Sequence, residues 1–84
     1  MQWRNFEQGS MPENEVFMLA VGEQVFFAKI VSGRIITKNG YADAVNSDMT
    51  KPYAGAEVSV FLSRNKANGI TPVWAHFHAP QSLK

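Results

Sequence analysis

From Val16 to Val21 the chain runs Val-Phe-Met-Leu-Ala-Val without a polar residue. A run this short, rich in β-branched and aromatic side chains, predicts a strand buried on both faces. Gly22 and Glu23 interrupt it, and the pattern resumes as Val25 to Val31 (Val-Phe-Phe-Ala-Lys-Ile-Val). The two runs predict a hairpin with Gly22 in its turn. Alternation places Phe26, Ala28 and Ile30 on one face of the second strand and Val25, Phe27, Lys29 and Val31 on the other. Ser32-Gly33 marks another tight turn before Arg34-Ile35-Ile36-Thr37-Lys38, a third strand in an antiparallel meander that Asn39-Gly40 closes.

The pattern then loosens. Tyr41 to Gly55 is mixed and turn-rich and reads as a long loop. It has room for one short helix between Asp43 and Met49, capped by Asp43, while Pro52 and Gly55 rule out a long one. Glu57 to Leu62 alternates, with Val58, Val60 and Leu62 opposite Glu57, Ser59 and Phe61, which predicts a fourth strand. The polar segment Arg64 to Gly69 reads as a turn, and Ile70 to Phe77 as a fifth strand. Pro72 cannot donate to a ladder, so that strand lies at an edge or begins after it. Residues 1–15 form a lead-in and 79–84 a frayed tail. The expected fold is mainly β: a small antiparallel sheet or partly open barrel of about five strands, with one short helix admitted in the 41–55 loop, in a single domain over residues 1–84.

Composition agrees with a folded chain. Apolar residues make up 45% and charged residues 18%, away from the polar, highly charged composition of disordered chains. An 84-residue domain has only one modest core, burying about 60–65% of the surface its unfolded chain exposes. There is no cysteine, which removes disulfides, thiolate metal sites and cysteine nucleophiles and suits a reducing cytoplasm. No apolar stretch approaches the ~20 residues of a membrane span, and the first nine residues lack the apolar centre of an export signal.

Catalytic and metal chemistry find little purchase. His76 and His78, two apart on a strand, would share a face, but their only further ligands would be distant carboxylates such as Asp43, Asp48 or Glu57. They read as rim histidines. Ser59, His76 and Asp43 supply the residue types of a hydrolytic triad, yet nothing in their spacing selects them. The glycines sit singly at turns, with no phosphate-cradling cluster. The expectation is a non-enzyme without a cofactor or metal.

Binding is the better fit. Up to residue 23 the chain holds Arg4 against Glu7, Glu13, Glu15 and Glu23, a balance of −3. From residue 24 seven basic residues face three acids, a balance of +4. Single-stranded nucleic-acid sites combine cations with stacking rings on a β surface. Lys29, Arg34, Lys38, Arg64 and Lys66 are the candidate cations, among Phe26, Phe27, Tyr41, Tyr53, Phe61 and Trp74. A dedicated binder that neutralises ~6–10 phosphates carries a more basic domain than this, and a chain this small needs its rings in the core. A protein partner is therefore the leading expectation, and the two-sided apolar run Val16 to Val21 admits a second copy of the chain as that partner.

The two ends carry a pattern: Trp3, then Met11-Pro12-Glu13 and the apolar run from Val16, with Ile70-Thr71-Pro72-Val73-Trp74 and Pro80 at the close. This resembles a group of short phage and prophage proteins of unknown function that begin with a Trp, a Leu-Pro-Glu-like step and an apolar strand, and end in Val-Thr-His-Trp followed by prolines. The resemblance covers roughly the first thirty and last fifteen residues. The chain departs from it in Met11 for the usual Leu, in Pro72-Val73 before Trp74, and in His76 and His78 where prolines are expected. The resemblance implies a β-rich accessory protein in the host-cell cytoplasm, acting on a host factor, with Trp3, Pro12 and Trp74 as structural anchors and no catalytic residues.

Overall fold

The computed structural model describes residues 2–7, 9–48 and 55–77. The long apolar runs form the expected meander: β2 (Val16–Val21), β3 (Gln24–Val31) and β4 (Arg34–Lys38). Both connections are two-residue turns. Gly22 leads the first at φ 62°, and Ser32 and Gly33 fill the second at φ 52° and 76°, the paired positive angles of a type I′ turn, whose twist suits a hairpin.

Two short strands extend the sheet beyond the meander, β1 (Arg4–Asn5) in the lead-in and β5 (Ala56–Glu57). With β6 (Val73–His76) they make a six-stranded antiparallel sheet in the order β1-β6-β2-β3-β4-β5. It is open, which decides between the sheet and the partly closed barrel. β6 begins after Pro72, as expected, but is not an edge strand, because β1 pairs with its outer side. Pro72 still takes part: it needs no donor there, and its carbonyl accepts the Phe6 N–H at 2.9 Å.

The expected fourth strand is instead a helix, α2 (Val58–Ala67). The alternation of Val58, Val60 and Leu62 coexists with a helical spacing, Val58, Phe61 and Leu62 at i, i+3 and i+4, and the helical set is the one that meets the core. The Arg64 to Ala67 stretch, expected as a turn, forms the last turn of this helix. Gly69 (φ 71°) closes the helix in a Schellman motif: its N–H donates to the Lys66 carbonyl at 3.0 Å and that of Ile70 to the Asn65 carbonyl at 2.8 Å. The other helix, α1 (Tyr41–Val45), is as short as expected but starts earlier, with Gly40 at its N-cap and Asp43 in its first turn.

Register divides the sheet into two faces. On one, Trp74, Leu19 and Phe26 lie in a row across β6, β2 and β3, followed by His76, Phe17, Ala28 and Thr37. This is the core face. Phe17 and Leu19 are fully buried there beneath Val58, Phe61 and Leu62 of α2 and beneath Phe6 and Met11 of the lead-in. Phe6 makes ring contacts with Phe17 at 6.5 Å and Phe61 at 5.5 Å, tying lead-in, sheet and helix together. On the opposite face α1 packs against β3 and β4, with Ala44 fully buried. Among the described residues the structure is thus a sheet with one helix on each side.

Candidate binding surface

The residues on the α1 side follow from the strand alternation. One row runs Val73, Ala20 and Val25; the next runs Ala75, Met18, Phe27 and Lys38; a third joins Val16, Lys29 and Ile36. Nearly every position is apolar, as the uninterrupted run in β2 requires. α1 covers only part of this face. Tyr41 on α1, Phe27 on β3 and Phe77 just after β6 form a three-ring cluster with centroids 4.9 to 5.8 Å apart. The Lys29 ammonium donates to the Val45 carbonyl at 3.4 Å, at the C-terminal end of α1 where a cation is favoured.

Among the described residues, the first row lies beyond that cover. Val25 is 52% exposed, Ala20 and Val73 are half-buried, and neighbouring Met18 is half-buried too. Such a contiguous apolar strip, on a sheet with its other face already packed, is what a partner surface supplies. Trp3, next to β1, is 41% exposed, whereas Trp74, at 2%, is buried in the core.

The five candidate cations separate. Lys29, Arg34 and Lys38 lie on the α1 side of the sheet, while Arg64 and Lys66 belong to α2 across the core. Of the three that share a face, Lys29 is engaged with α1. Of the candidate rings, Phe27 and Tyr41 belong to this side; Trp74 and Phe61 serve the core, and Phe26 lies on the core side of β3. Tyr53 and His78 are outside the described residues. His76 is exposed, with its ring 4.8 Å from that of Trp74.

Ser59 on α2, His76 on β6 and Asp43 on α1 are not brought together, since α1 and α2 lie on opposite sides of the sheet. No three His, Asp or Glu side chains among the described residues cluster as metal ligands would. Hollows among the described residues open on the core side. One, of about 430 Å³, lies between α2 and the lead-in, lined by Phe6, Leu62, Lys66, Ile70 and Pro72. Another, of about 280 Å³, is lined by Met11, Glu13, Ile30 and Val58. A third, of about 320 Å³, is bordered by Arg4, Glu7, Ser10 and Trp74. Beside it the Arg4 guanidinium sits 5.9 Å from the centre of the Trp74 ring, whose buried Nε1 has no hydrogen-bond partner among the described residues. In the hollow bordered by Arg4 and Trp74, the Ser10 hydroxyl donates to the Glu7 main-chain carbonyl at 2.7 Å. Sequence reasoning placed Val25 and Phe27 on one face, but the exposure of the Val25 end depends on where α1 begins to cover the sheet, at Tyr41 over Phe27. Comparison with family models, with curated proteins and with solved structures finds no match.

Proposed function

We propose that this chain is a small phage-type accessory protein that acts in the host-cell cytoplasm by binding another protein, without catalysis. The observation that carries the reading is the apolar strip of Val25, Ala20, Val73 and Met18, exposed at Val25 and half-buried at the other three among the described residues. A host factor is the partner class that the resemblance at the two ends implies, and a second copy of the chain is the other protein able to cover the strip.

The test compares capture from a bacterial lysate by the wild-type chain with capture by Val25→Lys and Val60→Lys. Both valines are exposed, but Val60 (38%) is on α2, across the sheet. A specific protein retained by wild type and Val60→Lys and lost with Val25→Lys supports the reading. Capture indifferent to Val25→Lys, or no specific capture, overturns it for a host factor. Light scattering on the same three proteins reads self-association: a dimer that only Val25→Lys dissociates makes the second copy the partner.

A second reading rests on Lys29, Arg34 and Lys38 sharing a face with Phe27. Three neutralised phosphates on a single strand predict a slope of about −2 in log affinity against log salt. Titration of labelled single-stranded DNA and RNA at two salt concentrations measures it. Binding at low salt with that slope, weakened by Lys38→Ala, would replace the protein-binding reading.

A further inference from the structure

The chain holds two Asn-Gly sequences, Asn39-Gly40 and Asn68-Gly69, both with exposed asparagines. Asn-Gly is the dipeptide most prone to self-modification. The backbone nitrogen of the glycine attacks the asparagine side-chain carbonyl, ammonia leaves, and a five-membered succinimide forms. Water then opens that ring to aspartate or isoaspartate. A glycine at the second position leaves the attack unhindered, for want of a Cβ. What distinguishes two such sites in one protein is whether the attacking nitrogen is free.

The two sites are not equivalent. At Gly69 the N–H is committed to the Lys66 carbonyl at 3.0 Å, inside the Schellman motif that ends α2. Gly40 lies between β4 and α1, outside either ladder, and its N–H makes no hydrogen bond with a described residue. Its carbonyl accepts the Ala44 N–H at 3.1 Å, so the residue is placed without its nitrogen being occupied. The Asp43 carboxylate also stands against it, with Oδ2 3.5 Å from where a Gly40 Cβ would be. A carboxylate there can accept the proton that the nitrogen sheds as the ring closes.

We infer that Asn39 is a site of spontaneous deamidation, assisted by Asp43, and that Asn68 is protected by the helix cap that follows it. The reaction consumes one water, releases one ammonia and needs no other reactant. It lowers the net charge of +1 by one, next to Lys38 on the partner-facing side of the sheet. Where isoaspartate forms, the main chain gains a methylene at the junction that sets α1 over Phe27. Conversion at Asn39 thus acts as an irreversible clock on the face that carries the apolar strip.

Peptide mass spectrometry of the purified chain, incubated at physiological temperature and mildly alkaline pH, follows both asparagines in one sample. Asn39 converts many-fold faster than Asn68 in the folded protein, and the two rates converge in concentrated urea. Gly40→Ala slows conversion at Asn39 by at least an order of magnitude. The added Cβ makes only ordinary contact with Asp43, so the variant folds. Asp43→Asn slows it several-fold, and only in the folded state. Equal rates at Asn39 and Asn68 in the folded chain, or a ratio unchanged by urea, overturn the inference; a rate untouched by Asp43→Asn removes the role of Asp43.

Discussion

Gly55 and Gly69 have the same backbone angle, φ 71°, and different surroundings. Around Gly69 a Cβ would meet nothing within 4 Å, whereas at Gly55 it would stand 2.6 Å from the Ile35 carbonyl oxygen. The first glycine is required by conformation alone; the second also lets the chain close against β4. Gly69→Ala should therefore cost about 1 kcal/mol, the penalty of a left-handed L-residue. Gly55→Ala should cost about 2–4 kcal/mol, since overpacking adds to that penalty. Denaturant midpoints of the two variants measure the gap, and equal losses would mean that the Gly55 approach is not tight in solution.

At the scale of elements, the identity of residues 58–67 decides the architecture. As a strand, Glu57 to Leu62 would turn Val60 inward and Phe61 outward; as helix α2 it does the reverse, leaving Val60 exposed and packing Phe61 against the core. Phe61→Ala should cost about 2–3 kcal/mol, below the range for a fully buried phenylalanine because this ring is partly exposed. Val60→Ala should change stability by less than about 0.5 kcal/mol, as surface substitutions do. Urea denaturation of the pair reads this directly, and the reverse order would restore the strand. The i, i+3, i+4 spacing and the Asn68-Gly69 stop were legible in the chain. They competed with an alternation of β-branched residues that fits a pleated strand equally well over six positions, and only the core beneath them separates the two.

For the whole molecule, the lead-in matters more than its acidic, polar look suggests. Phe6 is 4% exposed and joins lead-in, sheet and α2, while β1 covers the outer side of β6. Phe6→Ala should cost about 3–5 kcal/mol. A chain of this length has about 4–13 kcal/mol in total, so that single change removes a large share. It should lower the denaturation midpoint sharply and speed amide exchange in β1 and along the outer side of β6. A variant that keeps wild-type stability would show that the lead-in is only an appendage.

Some of this was determined by the amino-acid sequence alone. Meander strands β2, β3 and β4, their turns and their two faces follow from uninterrupted apolar runs separated by turn residues, because a two-residue period and a tight turn are local properties of the chain. The late start of β6 follows from Pro72 for the same reason. Tertiary structure alone decided that the sheet stays open, that β1 turns β6 into an interior strand, and that residues 58–67 coil. It also decided which part of the apolar α1 side is left uncovered. Each of these depends on which distant segments pack together: two residues of β1 have no pattern of their own, and Val25 is exposed because α1, which meets β3 at Phe27 through Tyr41 and at Lys29 through Val45, begins beyond it. The candidate cations show the same limit. Their number was plain from the chain, but placing three on one side of a sheet and two on the other required the fold.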